Sequence, residues 1–259
     1  MSYELTDILK RCEKADAELI VSTIDSCVNF SDDKGLKTML DRWNFGIMPL
    51  SLAWKIETEL RYLGSSDVAY AIRKMRGLEP AGVTVEEMLE DASRVLKIRY
   101  KKLGSLESRL ERLARNMFEK AFLNMSPEEQ RRLVEQMDLT QEQKELLLEY
   151  IRKRGVRLIL PILLNILGPE GTMKFMEAVL FSILAMFVGK EVARQILKII
   201  MTRFPWLAGM GPVAVAALTG WAVLDLCGPA MRKTIPILLI LSMVALRDGV
   251  EDENFWRED

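Results

Sequence analysis

The chain contains no histidine. Without an imidazole, serine–histidine triads, histidine-bearing zinc sites and histidine proton relays are excluded. Cysteine is scarce as well. Cys12, Cys27 and Cys227 are scattered through 259 residues with no CxxC pair, so they read as buried thiols in a reducing compartment rather than a disulfide framework. Charge of one sign is missing too: 36 basic residues face 37 acidic ones. That balance supplies no basic face for a phosphate backbone, and no nucleic-acid partner is expected. The sequence lacks GxxxxGK[ST], GxSxG, HExxH and EF-hand patterns, the usual scaffolds of phosphate, acyl and metal chemistry. Gly209-Met-Gly211-Pro-Val-Ala214 matches GxGxxA only formally, because a proline follows the second glycine in a helical pattern with no preceding strand. No catalytic residue, cofactor or metal is expected, and the chain reads as a non-enzyme.

What is present is helical periodicity and a sharp change of solvent preference. Residues 1–155 carry 26 basic and 27 acidic side chains, whereas residues 156–246 carry eight and four. A soluble helix keeps a charged outer face, so this fall separates a charged N-terminal region from an apolar C-terminal one, followed by an acidic tail at 247–259. Apolar residues at Leu5, Leu9, Cys12, Ala15 and Leu19 recur at helical spacing. Thr84 with Glu87, Ser126 with Pro127 and Glu129, and Thr140 with Gln143 fit capping boxes. Helices are predicted near 3–28, 49–62, 67–76, 85–100, 106–124, 127–137 and 141–154, giving an all-α fold. The Glu-, Arg- and Leu-rich segment 106–154, with Glu107, Glu111 and Arg115 along one face, reads as a solvated helical hairpin or an oligomerising arm. The domain expectation is a helical domain at 1–125, a charged hairpin at 126–155, an apolar helical region at 156–246 and the tail.

The apolar region holds four stretches: Leu158–Leu167, Ala178–Gly189, Phe204–Leu224 and Thr234–Leu246. Phe204–Leu224 is 21 residues without a charge, long enough to span hydrocarbon; the others are too short. Ala208, Pro212, Ala216 and Gly220 recur every four residues, as small residues do where helices approach closely in lipid, and Trp206 and Trp221 stand near the ends like interfacial aromatics. A close-packed soluble core fits the same residues. The basic run Lys190–Arg203 belongs on the cytoplasmic side, and Met1–Asp7 has no export signature. Leu158–Leu167 and Met173–Gly189 are therefore expected to fold back at Gly168-Pro-Glu-Gly171 as a hairpin, buried in protein or dipping into a bilayer. Asp225 should sit at an interface or pair with Arg232 or Lys233; Glu177 should pair with Lys174 three residues before it. Methionines such as Met173, Met176 and Met243 suit either a core or a client groove that repacks. The tail aromatics Phe255 and Trp256, set among acids, read as part of a solubilising segment or a docking motif.

Glu59-Leu-Arg-Tyr-Leu-Gly64, Arg76-Gly77, Leu89-Glu-Asp91 running into Leu96-Lys-Ile-Arg-Tyr-Lys101, and Gly228-Pro-Ala-Met-Arg232-Lys-Thr234-Ile-Pro236 together resemble the YaaW-like bacterial proteins. Gly64-Ser65 replaces a usual glycine pair, and Met231 stands where an aromatic is usual. The resemblance implies a helical bacterial protein on the cytoplasmic side, distantly similar to ubiquinol–cytochrome c chaperones, and brings no catalytic residues. Read physically, Gly228 and Pro229 end one helix, and Pro236 is tolerable in the first turn of the next.

Two functions follow as expectations. In the first, apolar hairpins insert into or perturb a bilayer, as an oligomeric defence or stress effector would, with membrane lipid as partner. In the second, the chain is a chaperone or assembly factor sheltering an apolar membrane-protein client. The expected location is the cytoplasmic face of the inner membrane, or the cytoplasm.

Overall fold

A computed structural model describes residues 3–25, 33–65, 75–77, 82–137, 139–154, 159–205, 231–251 and 255–256. Among these residues the fold is all-α, with eleven helices and no strand. They are α1 (Tyr3–Lys10), α2 (Lys14–Asp25), α3 (Asp33–Arg42), α4 (Leu50–Leu63), α5 (Val85–Val95), α6 (Leu106–Asn124), α7 (Pro127–Gln136), α8 (Gln141–Arg154), α9 (Ile159–Phe187), α10 (Lys190–Arg203) and α11 (Met231–Arg247).

Local chemistry sets most boundaries. The capping boxes of Thr84 with Glu87 and of Ser126 with Glu129 form at the starts of α5 and α7, and Thr140 exchanges the same pair of bonds with Gln143 before α8. The predicted helix 3–28 is broken at 11–13, where the Glu13 amide donates to the Asp16 carboxylate (2.8 Å) and restarts the chain as α2. Apolar spacing runs across this break in phase, so periodicity alone does not reveal it. Helix α3 occupies part of a segment whose Asp-Asp-Lys-Gly sequence reads as a turn; Leu36 and Leu40, four apart and buried, hold it in place. Helix α5 stops earlier than its apolar pattern does. Lys97 adopts a left-handed φ of 52°, and the Lys97 and Ile98 amides donate back to Arg94 and Ser93 carbonyls. This is a Schellman ending with lysine in the place glycine usually fills.

Helix α9 changes direction at Gly168, where φ is 71° and ψ 177°. Only glycine adopts that backbone without strain, and Pro169 then starts the second arm. The predicted turn therefore exists as a break. In the second arm every residue from Ala178 to Ala185 is buried, and Phe175 packs edge-on against Phe118 of α6 with ring centroids 5.7 Å apart.

The most apolar helix organises the rest. Every residue of α11 from Lys233 to Leu246 is buried, and the helix touches α1, α2, α4, α5, α6 and α9. The final apolar stretch thus shares its core with helices of the charged region, and the fall in charge after residue 155 does not separate two cores. Its Pro236 sits beyond the first turn, because the helix begins at Met231. Two of the three residues on the face of α6 expected to be solvated are buried: Glu111 is fully enclosed and accepts the Glu251 amide at 2.8 Å, and Arg115 is 5% exposed. The tail is anchored by Phe255, which has no exposed surface and meets Trp256 at 4.8 Å, edge to face. No helix among the described residues is long and apolar enough to cross a membrane.

The ending of α5 gives a direct test. Replacing Lys97 by glycine removes the cost of a side chain in left-handed backbone, and Lys97→Gly is expected to raise unfolding stability by roughly 0.5 kcal/mol or more in denaturant titrations.

Candidate functional site

Where α1 and α2 meet the end of α11, a group of charges is drawn inward. Arg247 closes a two-point bond on Asp16, at 2.5 and 2.8 Å, and Asp16 is 2% exposed. The same carboxylate receives the Glu13 amide, so one side chain both starts α2 and fastens α11 to it. Arg203, from the end of α10, reaches Glu177 at 3.1 Å and Glu13 at 2.5 Å. The second nitrogen of Arg247 lies 3.9 Å from Glu177. Beyond them Arg11 pairs with Glu107 at 2.7 Å and Asp248 at 3.1 Å. Glu177 thus turns inward, away from Lys174. Lys174 instead pairs with exposed Glu170 at 2.6 Å, four residues back and N-terminal to it, the favoured order for a helix-surface pair.

Three carboxylates facing two guanidiniums leave Glu177 in an uneven field. Burial pushes its carboxyl above the ordinary range and Asp16 adds to this, against the pull of Arg247 and Arg203. Burial works against the Arg247 charge, but the bonds and attraction of Asp16 outweigh it and push its pKa up. Burial also pushes the Cys12 thiol up, so the cysteine beside this group stays protonated and unreactive at neutral pH.

Two members of this group, Glu177 and Arg247, line a cleft of about 450 Å³. Met173, Met243, Leu246, Val250 and Trp256 supply an apolar wall, Glu177 and Arg247 the polar base, and Glu170 and Lys174 the mouth. The sequence builds it with two backbone devices. The break at Gly168 starts the second arm of α9, which supplies Glu170, Met173 and Lys174, and Gly249, with φ of 107°, ends α11 beside the cleft that Val250 and Trp256 also line. A cleft of this size with flexible thioethers on its wall and a few converging polar groups suits an apolar ligand or segment with one polar end. Among the described residues no group of side chains is arranged to hold a metal ion.

Of the residues singled out by sequence, Met173, Glu177, Met243 and Trp256 belong to this site. Lys233 is buried elsewhere, at the far end of α11, where its ammonium donates to the Ile24 carbonyl in the last turn of α2 (3.3 Å), a place favourable to a cation. Arg232 is part of α11. Trp206, Ala208, Pro212, Ala216, Gly220, Trp221 and Asp225, together with Cys27, Cys227 and the GxGxxA match, lie outside the described residues. Asp16, Arg203 and Arg247 carry no motif. The one sequence signal for Asp16 is an acid three residues after Glu13, a helix-start spacing that the in-phase apolar pattern hides. Comparison with protein-family models, curated proteins and solved structures returns no match.

Two variants test the floor. Asp16→Asn leaves Arg247 without its buried countercharge and is expected to cost about 3 kcal/mol of unfolding stability by urea titration. Glu177→Gln has a pH signature. A carboxyl whose folded pKa is raised binds its proton more tightly in the native state, so its contribution is lost as pH rises from the ordinary carboxyl range through the raised native value. The midpoint of the Gln variant relative to the parent should therefore rise across that window and level off above it, read by thermal melts at a series of pH values.

Proposed function

We propose that this protein is a non-enzymatic binding protein that shelters an apolar segment of a client, with the methionine- and tryptophan-walled cleft as the seat. The carrying observation is the pairing of that wall, Met173, Met243, Leu246, Val250 and Trp256, with a charged floor held by Glu177 and Arg247. The wall takes apolar surface of varied shape, since thioethers repack at little cost. The floor gives the segment's polar end a partner, so a helix end or an amphiphile fits better than a wholly apolar molecule. This supports the chaperone or assembly class and its apolar-client partner over reaction chemistry.

Membrane association remains the second reading, favoured by one specific observation. Phe45 is 90% exposed and Ile47 79%, on the connection between α3 and α4, with Leu50 and Trp54 following on α4. Exposed apolar patches of this kind mark contact surfaces for protein or lipid. In that reading a charged multi-helix N-terminal region precedes an apolar C-terminal region whose hairpins, with Phe204–Leu224, enter the bilayer in an oligomeric stress or defence effector.

One measurement separates them. The full chain is titrated with a fluorescent 20-residue Leu/Ala peptide ending in a charged residue, and floated in parallel with phosphatidylcholine vesicles. Saturable peptide binding, weakened about tenfold or more by Met173→Lys while the melting temperature holds, is the expected result. Peptide binding indifferent to Met173→Lys, or absent, removes the cleft as the seat. Flotation lost in Phe45→Ser with Ile47→Ser moves membrane association to first place.

A further inference from the structure

Helix α4 is built inside out. A surface helix ordinarily turns its charges to water and its apolar residues to the core. The exposed residues of α4 are Leu50, Ser51, Trp54 and Thr58, and none is charged. Its charged residues lie off this face and are spent on one another: Lys55 pairs with Glu59 at 3.0 Å and Glu57 with Arg61 at 3.2 Å, and Glu57 also accepts the Thr6 hydroxyl at 3.0 Å. Glu57, Glu59 and Arg61 are buried. Drawing charges out of water is costly even when they are paired, so a helix that faced only water would be better served by the opposite arrangement. The hydroxyl of Thr58 is turned back as well, donating to the Trp54 carbonyl at 2.8 Å.

The connection leading into α4 carries the same character outward. Trp43 and Met48 are its buried anchors. Lys14 fastens the first anchor, donating to the Leu40 and Trp43 carbonyls and lying 5.7 Å from the centre of the Trp43 ring. Between the anchors Asn44, Phe45, Gly46 and Ile47 are exposed. Gly46 has a left-handed φ of 82°, and a side chain added there would meet only open space. Phe45 and Ile47 therefore stand proud of the surface on a fixed support. From Trp43 to Trp54 the sequence holds no charge, and the residues that flank this run, Arg42 and Lys55, are both cations.

We infer that this face is a peripheral docking surface for a phospholipid bilayer, entered by Phe45 and Ile47 and continued by Leu50 and Trp54. Its convexity favours lipid, because acyl chains close around a protruding side chain whereas a protein partner must offer a preformed pocket for each. Its margin fits too: the amphipathic ring of Trp54 suits the headgroup level, and exposed Arg42 matches headgroup phosphates. No exposed acid lies between Arg42 and Lys55 to repel those phosphates; Asp41, the exposed acid next to Arg42, belongs to α3. With the charges of α4 already paired on its inner side, seating the helix along the interface desolvates few polar groups. The bundle stays folded throughout, so this docking is independent of the cleft and its client and needs no hairpin to enter the bilayer.

The test floats the full chain with phosphatidylcholine vesicles. Phe45→Glu puts a carboxylate at the tip, and Leu146→Glu, at an exposed leucine of α8, controls for the added charge; thermal melts check that both stay folded. The expected result is vesicle binding that falls about tenfold or more in Phe45→Glu, holds in Leu146→Glu and is released by alkaline carbonate. A second readout does not depend on the glutamate variants: brominated phosphatidylcholine should quench tryptophan emission in the parent, and Trp54→Phe should remove the quenched part. Peptide binding in the cleft should be unchanged in Phe45→Glu. Flotation that survives Phe45→Glu, or that resists carbonate, overturns the inference in favour of inserted hairpins. Equal loss in the two glutamate variants, or quenching that persists in Trp54→Phe, also overturns it. Absence of flotation overturns it as well, and a dimer in solution that Phe45→Glu splits would then assign the face to a second copy of the chain.

Discussion

A helix that is apolar around its whole circumference has no face to give to water, and α11 imposes that constraint on the fold. Residues 233–246 are all buried, so helices must cover every side, and α1, α2, α4, α5, α6 and α9 do so. Each fully buried Leu or Ile contributes about 1.5–3 kcal/mol by leaving water. The charged N-terminal helices therefore bring their apolar stripes to α11, and some of their charges gather at its ends.

Those ends show how charge is managed around such a core. At one end Lys233 donates to the last turn of α2; at the other Arg247 grips Asp16 at its start. Helix α11 is thus tied to both ends of α2. The second tie draws Arg203 and Glu177 into one network, and two of its members, Glu177 and Arg247, line the cleft. The element that orders the core and the element that shapes the candidate binding site are the same helix, seen from its side and from its end.

Helix α6 shows the same economy on its two faces. Phe118 and Phe122 pack inward with Phe175 of α9, while Arg112, Asn116 and Lys120 lace the preceding segment. A sequence dense in Glu, Arg and Leu reads as a solvated arm because charge alone does not tell whether a side chain faces water or a carbonyl. Glu111 illustrates this: it is fully buried and accepts a main-chain amide 140 positions away.

The helical class, the starts of α5, α7 and α8, and the break at Gly168 were legible in the sequence, because caps, proline and glycine act within four residues and need no distant partner. The apolar character of α11 was legible too, but not its solvent, since hydrocarbon and a protein core accept the same side chains. Only the tertiary structure decided that helices of the charged region enclose it. Likewise Glu177 could be singled out as a carboxylate in apolar company, but its partners could not: Lys174 was near in sequence, while Arg203 and Arg247 became neighbours only when α9, α10 and α11 packed together. Short-range hydrogen bonding was written in the chain, and the meeting of its buried charges was settled by the enclosure of one apolar helix.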